Sequence, residues 1–348
     1  MFSSPPVRKL AANINMPHQP RSTSIASDAT RTGPDRRALI AAALLAPLAA
    51  CGPRRPLVLA GHPWPGYEPM FLARTLGYLP SDLVLQEAPT VHASIEAVRR
   101  GDADGAMLTM DEILQMRDQG TPLQIVLVFD VSKGADVLLA RPQIRDLADL
   151  KGKRVGAEDS ALGSLMLSMV LERAGLKPED VVVRRIVYEE QEAAWARGDV
   201  DALVTYEPVA ARIKKTGAKQ LLSTREMPDT IFDVLAIRPE ALRSHGDVVR
   251  AALIGHFKAL SYLRQNPWDA AYKTVPHLGV SAEEMISSLR GLELPDLIGN
   301  QRYLANQDGD LLRVARKLSA IMLQAGVISK PVDTDQLYSG AYLPSESP

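Results

Sequence analysis

Apolar runs alternate with amphipathic segments along most of this chain. The runs predict strands at 57–60, 83–87, 106–109, 123–129, 136–140, 181–186, 202–205, 220–222 and 231–237. The amphipathic segments predict helices at 70–77, 92–100, 111–119, 162–174, 189–197 and 208–217. From Pro239 onward the pattern is helical nearly to the end, with helices predicted at 248–265, 269–275, 282–289 and 311–325. This alternation predicts an α/β fold, and the unbroken run at 123–129 indicates a parallel strand buried on both faces.

One strand-ending pattern occurs twice. Residues 100–111 read Arg-Gly-Asp-Ala-Asp-Gly-Ala-Met-Leu-Thr-Met-Asp, and residues 197–208 read Arg-Gly-Asp-Val-Asp-Ala-Leu-Val-Thr-Tyr-Glu-Pro. Each copy predicts a helix that ends on glycine, an aspartate turn, a buried strand and a carboxylate just after the strand. The repetition predicts two similar α/β halves, with Asp111 and Glu207 at the strand ends where α/β sheets bind ligands.

Composition narrows the class of protein. A chain of 348 residues with 46% hydrophobic side chains is long enough for two domains. A net charge of −1 gives no reason to expect a nucleic-acid partner. Because Cys51 is the one cysteine, an internal disulfide and a cysteine-built metal site are excluded.

The first 50 residues have the parts of a lipoprotein signal peptide. Arg36 and Arg37 precede a short apolar run, and Leu-Ala-Ala-Cys ends at Cys51. This ending resembles the bacterial lipobox, in which the cysteine is lipidated and becomes the first residue of the mature protein. The paired arginines also resemble a twin-arginine export signal. We therefore expect the protein on the periplasmic side of the cell membrane, lipid-anchored through Cys51, with the outer membrane as an alternative.

The chain resembles the nitrate/sulfonate/taurine group of solute-binding proteins of ABC importers. Five segments carry the resemblance across residues 56–330: Trp-Pro-Gly-Tyr-Glu-Pro at 64–69, Arg-Gly-Asp-Ala-Asp at 100–104, Asp-Leu-Lys-Gly-Lys-Arg-Val-Gly at 149–156, Leu-Glu-Arg-Ala-Gly-Leu at 171–176 and Gly-Asp-Val-Asp-Ala at 198–202.

The resemblance implies the type II periplasmic binding protein fold, in which two α/β lobes are joined by two crossover hinge strands. Lobe one would comprise residues 56–132 and 237–326, lobe two residues 136–233, and residues 327–348 would form a C-terminal tail. The hinges would be 130–136 and 231–237. A monomer would bind a small molecule between its lobes and present it to an ABC permease and its ATPase subunit. No cofactor is implied.

Candidate ligand-binding residues follow the predicted strand ends and hinges. Trp64 and Tyr67 lie in a Pro/Gly loop with little core to join, which favours stacking on a ligand. The polar candidates each have a structural alternative, such as a helix N-terminus, an N-cap or a hinge salt bridge. The predicted set is Trp64, Tyr67, Glu68, Thr109, Asp111, Ser132, Asp159, Ser160, Tyr206, Glu207 and Asp233.

The charge of these candidates favours a cationic ligand. Carboxylates outnumber the two basic residues expected nearby, Lys133 and Arg238, so an amine or amino-heterocycle fits better than an anion. The alternative keeps the sulfonate or nitrate of the family. This chain, however, has Ser-Ala-Leu-Gly-Ser at 160–164, where sulfonate and taurine binders tend to carry a Gly-Ser/Thr run and a histidine.

Two other functions stay open. Thiamin-pyrimidine synthases resemble these binders but use a cysteine-rich segment and a cleft histidine. Here the single cysteine is assigned to lipid, and His62 is the one histidine near the expected cleft. The sequence contains neither the Ser-His-Asp order of a catalytic triad nor a phosphate-binding loop, so no enzyme activity is predicted. A ligand sensor for a membrane partner is the other alternative.

Overall fold

Strands and helices alternate from the first described residues onward. The structure is a computed structural model that describes residues 54–305, 310–346 and 348. The predicted signal peptide at 1–50 and Cys51 lie outside the described residues.

A six-stranded sheet organises what we call lobe one. Its order is β11-β4-β10-β3-β1-β2, with β1, β2 and β3 parallel and β10 antiparallel to both β3 and β4. Its strands are β1 (Leu57–Gly61), β2 (Leu83–Glu87), β3 (Gly105–Thr109), β4 (Gln124–Ser132), β10 (Phe232–Ile237) and β11 (Leu292–Glu293).

A five-stranded sheet organises lobe two. Its order is β7-β6-β8-β5-β9, with β6 parallel to β7 and β8, and β5 antiparallel to β8 and β9. Its strands are β5 (Asp136–Ala140), β6 (Arg154–Ala157), β7 (Val182–Arg185), β8 (Ala202–Tyr206) and β9 (Lys219–Ser223).

Helices connect and cover the two sheets. Those that follow strands of lobe one are α1 (Glu68–Thr75), α2 (Val91–Arg100) and α3 (Met110–Asp118). Those in lobe two are α4 (Ala161–Ala174), α5 (Gln191–Arg197) and α6 (Val209–Lys214). The C-terminal part contains α7 (Pro239–Gln265), α8 (Pro267–Leu278), α9 (Ala282–Leu289), α10 (Leu297–Tyr303) and α11 (Asp310–Gln324).

The chain passes between the sheets twice. It leaves β4 of the first sheet at Ser132 and enters β5 of the second at Asp136, and it returns between β9 and β10. The predicted fold class, two α/β lobes with two crossovers, is confirmed. One detail was wrong: β4 is buried on both faces but pairs antiparallel with β10, because the chain leaves this sheet along β4 and returns to it along β10.

The repeated pattern has the same structural role in both lobes. Gly101 ends α2 and Gly198 ends α5, each with φ of +79°, the left-handed conformation that glycine adopts without a steric penalty. In lobe one the Asp104 carboxylate accepts a hydrogen bond from the backbone N–H of Val58 on β1. In lobe two the Asp201 carboxylate accepts one from the backbone N–H of Arg154 on β6. The second aspartate of each copy therefore fixes the first parallel strand of its lobe.

The C-terminal part departs most from the sequence-based prediction. Helix α7 begins at Pro239, where the helical pattern was predicted to begin, but it runs on to Gln265 as one helix kinked at His245, whose φ of −127° is not helical. Strand β11 and helix α10 were not predicted, since two residues and seven residues carry little periodic signal. The tail residues Leu337 and Ser339 exchange backbone hydrogen bonds with Ile125 at the start of β4.

Candidate functional site

A small cavity of about 20 Å³ lies between the two lobes. Its walls come from both sheets at the carboxyl ends of β1, β3, β6 and β8, where ligands bind in open α/β sheets. Lobe one contributes His62, Pro63, Trp64, Tyr67, Val91, Thr109, Glu112, Ile231 and Asp233, and lobe two contributes Asp136, Glu158, Leu162 and Tyr206.

Aromatic rings form one side of the cavity. Trp64 of lobe one meets Tyr206 of lobe two edge to face, with ring centroids 5.4 Å apart. Tyr206 in turn stacks on Tyr188, with centroids 4.1 Å apart and planes nearly parallel. The Trp64 indole N–H donates to the Asp130 carboxylate at 3.0 Å, which orients the ring. The aromatic wall therefore spans both lobes.

Gly66 makes this arrangement possible. It lies in the single 3₁₀ turn between β1 and α1, directly after Trp64 and Pro65. A Cβ atom at Gly66 would lie 1.7 Å from a carboxylate oxygen of Asp130, so any side chain there would displace the carboxylate that holds Trp64. The Pro/Gly loop seen in the sequence is thus a close approach of backbone to the hinge strand β4.

Four carboxyl side chains line the cavity. Glu112 and Asp233 belong to lobe one, and Asp136 and Glu158 belong to lobe two. Each is less than a tenth exposed. Burial raises the pKa of Asp136 to about 6 and that of Glu158 to about 7, and it raises the pKa of Glu112 and Asp233 well above the usual range.

Two further carboxyl groups lie directly behind this wall. Asp111 and Asp130 are fully buried, and burial raises the pKa of each to about 7. Asp130 is the cross-strand partner of Asp233, so two carboxyl groups stand side by side on the hinge strands β4 and β10. The like charge of Asp130 is a further cause, after burial, of the raised pKa of Asp233.

Several of these oxygens already have protein donors. The Tyr67 hydroxyl donates to Asp233 at 2.5 Å, the Thr109 backbone N–H donates to Glu112 at 2.9 Å, and the Ser160 hydroxyl donates to Glu158 at 2.9 Å. Other buried oxygens have no hydrogen-bond partner among the described residues. They include Oγ1 of Thr109, both carboxylate oxygens of Asp111, Oδ1 of Asp130, Oδ2 of Asp136 and Oγ1 of Thr205.

The cavity wall contains acids but no lysine or arginine among its lining residues. The one basic side chain is His62, whose pKa is lowered to about 4 by burial, so this imidazole is neutral. A site of this composition offers no fixed positive charge, and its carboxyl groups donate a hydrogen bond when protonated and accept hydrogen bonds when ionised. Within the described ranges, no group of three or more His, Cys, Asp or Glu side chains is arranged to hold a metal ion.

Five of the predicted ligand-binding residues line the cavity: Trp64, Tyr67, Thr109, Tyr206 and Asp233. Asp111 lies behind the wall, as described above. Ser132 bonds to the Thr224 hydroxyl at 2.7 Å, where the chain crosses between the sheets. Asp159 and Ser160 line a separate groove of about 300 Å³, together with His92 and Arg99.

Glu68 and Glu207 each face a protein partner instead of the cavity. The Glu68 carboxylate lies 2.6 Å from Nδ1 of His277 on α8, and burial raises the pKa of Glu68 to about 7. Glu207 accepts a hydrogen bond from the backbone N–H of Ala211 at 2.9 Å and pairs with Lys214 at 3.1 Å. Glu68 does stand in the first turn of α1, as its helix-start alternative described, but the contact with His277 was not predicted. Glu207 is paired, as a charged residue at the end of an apolar strand must be if it is not solvated.

The two basic residues expected near the site also lie elsewhere. Lys133 is within 3.7 Å of the carboxylates of Asp229 and Glu293. Arg238 donates to the backbone carbonyl of Val98. Neither lines the cavity, so the excess of acid over base is larger than the sequence suggested.

Sequence reasoning missed several lining residues, chiefly Glu112, Asp136 and Glu158. Glu112 and Glu158 are each one position from a residue that was chosen, Asp111 and Asp159. The signal was therefore present as paired acids at strand ends, but the side chain that faces the cavity depends on helix and turn geometry. His62 was noted as near the cleft and does line it.

A cavity between two α/β lobes, at the carboxyl ends of their strands, is the arrangement of the type II periplasmic binding proteins. The model of the NMT1/THI5-like family matches residues 64–270, more than half of the chain, and the chain belongs to that family.

Relatives and solved structures agree with this class of fold. The taurine-binding periplasmic protein of Escherichia coli K12 is 24% identical over 222 residues, which cover 61% of this chain and 66% of that protein. The match thus spans just under two thirds of the relative's length. The periplasmic aliphatic sulphonate-binding protein SsuA of Escherichia coli superposes with a TM-score of 0.67 at 20% identity, covering 82% of this chain and 92% of that one. The desulfurization enzyme DSZB superposes with a TM-score of 0.61 at 18% identity, covering 83% and 97%.

Proposed function

We propose that this protein is the solute-binding component of an ABC importer and that it captures a small polar molecule in the cavity between its lobes. The observation that carries the proposal is a cavity walled by both lobes, so that a ligand there stabilises the closed arrangement that a permease recognises. Relatives described as a taurine-binding protein and a sulphonate-binding protein support it. In this proposal the protein does no chemistry of its own.

The ligand is an amine or an amino-heterocycle. A bound cation favours ionisation of the four lining carboxyl groups and pairs with them, whereas an enclosed anion would find no lining lysine or arginine. An ammonium or ring amino group supplies the donors that the buried oxygens lack. The ammonium group or the ring of the ligand can also lie against Trp64 or Tyr206, where a cation–π contact contributes about 0.5–2 kcal/mol.

A sulfonate ligand is the second candidate, favoured by the names of the relatives. Taurine belongs to both chemical classes, since it carries an ammonium and a sulfonate. The N-terminus of α4 is the place where an anion could be received, because Leu162 in its first turn lines the cavity. Ser160 already accepts the hydrogen bond of the Gly163 backbone N–H there, which leaves fewer free donors.

A thermal-shift screen separates these candidates. We expect alkylamines and aminopyrimidines to raise the melting temperature, while ethanesulfonate and nitrate leave it unchanged. Asp233→Asn should reduce the effect, because it removes a lining carboxylate. Glu207→Gln is the matched control, since its carboxylate faces Ala211 and Lys214. Stabilisation by ethanesulfonate that is undiminished in Asp233→Asn would contradict the amine proposal.

Location and partners follow from the same proposal. Lipid on Cys51 would hold the protein on the periplasmic side of a membrane, where it meets the permease and, through it, the ATPase. No helix within residues 54–305 and 310–346 is long and apolar enough to cross a membrane. A sensor that signals to a membrane partner would use the same cavity. Neighbouring genes distinguish the two functions: genes for a permease and an ATPase indicate an importer, and a gene for a sensor kinase indicates a sensor.

A further inference from the structure

The cavity between the lobes is too small to admit a solute while the lobes keep this arrangement. Its volume of about 20 Å³ has room for about one water molecule. Trp64 of lobe one and Tyr206 of lobe two also meet edge to face between the lobes. The lobes must therefore separate before a ligand can enter, and the contacts that oppose separation control access to the site.

An ion pair joins the two lobes close to this aromatic contact. The Arg212 guanidinium on α6 donates through Nε to a carboxylate oxygen of Glu284 on α9, at 2.8 Å. Helix α6 begins just after Tyr206 and packs on β5 and β8 of the second sheet. Helix α9 packs on α8 and on the turn Pro65–Tyr67, which follows Trp64. The ion pair thus connects the helices that lie next to the two rings.

Glu284 is held in place by its own helix. It belongs to the capping box at the start of α9, where its carboxylate accepts a hydrogen bond from the backbone N–H of Ser281 at 3.0 Å. The hydrogen bonds from Arg212 and from this N–H lower the pKa of Glu284 to about 2, so the carboxylate is ionised at neutral pH. Lobe one therefore presents a charged acceptor whose position does not depend on Arg212.

Arg212 has a second carboxylate within its own lobe. Its Nη1 lies 3.5 Å from Oε2 of Glu192 on α5. When the lobes separate, Arg212 loses Glu284 but keeps Glu192, and Glu284 keeps the N–H of Ser281. Neither charge is left buried without a partner, which would make separation costly.

We propose that Arg212 is a latch, which holds the lobes together through Glu284 and releases them by retaining Glu192. The inference rests on the proposed function, since it concerns how a ligand reaches that same cavity. Because the two acids compete for one guanidinium, loss of Glu284 favours separated lobes and loss of Glu192 favours joined lobes. The Arg212 and Glu284 side chains are 32% and 23% exposed, so each loss should change the ratio of separated to joined molecules by about twofold to fivefold.

Distances between two spin labels measure this ratio in the absence of any ligand. The labels are attached to cysteines at exposed positions beside the latch, Lys215→Cys at the end of α6 and Ser287→Cys on α9. The full-length chain also carries Cys51→Ser, so that no other thiol reacts. Double electron–electron resonance then resolves a short distance for joined lobes and a longer one for separated lobes.

Two substitutions at the latch should act in opposite directions. Glu284→Gln should increase the population at the longer distance, and Glu192→Gln should decrease it, although each removes one carboxylate from the same arginine. Raising the salt concentration from about 50 mM to about 1 M should increase the longer distance in the unaltered protein, because salt screens a partly exposed ion pair. The same change of salt should have little effect in Glu284→Gln.

The control is Asp269→Asn, which removes an ion pair with Lys273 inside α8 of lobe one, at 3.1 Å. It should leave both populations unchanged, and a circular dichroism spectrum like that of the unaltered protein shows that a variant is folded. A single distance at every salt concentration in the unaltered protein overturns the inference. So does a longer-distance population that Glu284→Gln fails to increase or that Glu192→Gln fails to reduce.

The result does not depend on which ligand the cavity takes. If the latch variants shift the distances as expected while no amine stabilises the protein, the proposed ligand class fails and the latch stands. If amines stabilise the protein while the distances do not respond to Glu284→Gln, the latch fails and the proposed function stands.

Discussion

Replacing Glu158 by glutamine tests whether burial controls the charge of the cavity. Glu158 follows β6 at the cavity wall and is 6% exposed. Burial raises the pKa of this carboxyl group from its ordinary value of 4.5 to about 7, although the Ser160 hydroxyl that donates to it acts in the opposite direction. Glutamine keeps the shape and an acceptor for Ser160 but cannot ionise.

The expected magnitude follows from that pKa. Between pH 4.5 and about 7 the folded protein retains a proton on Glu158 that the unfolded chain has lost. The free energy of unfolding therefore falls as pH rises through this window and levels off above it. A rise from 4.5 to about 7, at about 1.4 kcal/mol per pH unit, corresponds to about 3 kcal/mol.

Urea unfolding in the absence of ligand measures this difference. Tryptophan fluorescence reports it, since Trp64 and Trp195 are buried in the folded protein. Relative to the unaltered protein, Glu158→Gln should gain about 3 kcal/mol on going from pH 4.5 to pH 8. The like charges of Asp111 and Asp136 also act on the Glu158 carboxyl group. Replacing Glu158 by glutamine removes this repulsion as well, which increases the expected gain in stability.

The control is the same substitution at an exposed position, Glu179→Gln. Its stability relative to the unaltered protein should be nearly independent of pH. A Glu158→Gln variant whose relative stability is the same at pH 4.5 and pH 8 would refute the argument that burial keeps this carboxyl group protonated.

Two further predictions concern the protein as a whole. Small-angle scattering should show a smaller radius of gyration on adding a stabilising amine, because only the two crossovers between the lobes need to rotate; an unchanged radius at saturation would contradict closure by hinge motion. Cys51→Ser should release the protein from the membrane fraction, because lipid on that thiol provides the anchor; a variant that stays in the membrane fraction would contradict the lipobox interpretation.

Much of the fold could be predicted because its signals are local. Gly101, Gly175 and Gly198 end helices in the left-handed conformation, and Ser160 caps α4, as their positions in the sequence indicate. The direction of β4 could not be predicted, since an apolar run is the same in parallel and antiparallel sheets. Its partner β10 lies about a hundred residues later, and no local pattern identifies that pairing.

The site was predictable to the level of strand ends but not to the level of single side chains. Trp64 and Tyr206 follow β1 and end β8, and both line the cavity as the strand-end argument required. Glu112 lines it where Asp111 was chosen, because the first turn of α3 directs adjacent side chains about a quarter-turn or more apart. Which of two neighbouring acids faces a cavity depends on how the helix packs.

The hinge acids illustrate what only the folded chain provides. Asp130 directly follows the apolar run at 123–129, Asp233 lies inside the run at 231–237, and separately each could have been a surface charge. Antiparallel pairing of β4 with β10 makes them cross-strand partners, and Asp136 is placed nearby at the start of β5. Like charges in such positions destabilise a sheet unless protons or a cation compensate them. The strands that connect the lobes thus carry the groups whose charge a bound cation would neutralise, which links occupancy of the cavity to the stability of the hinge itself.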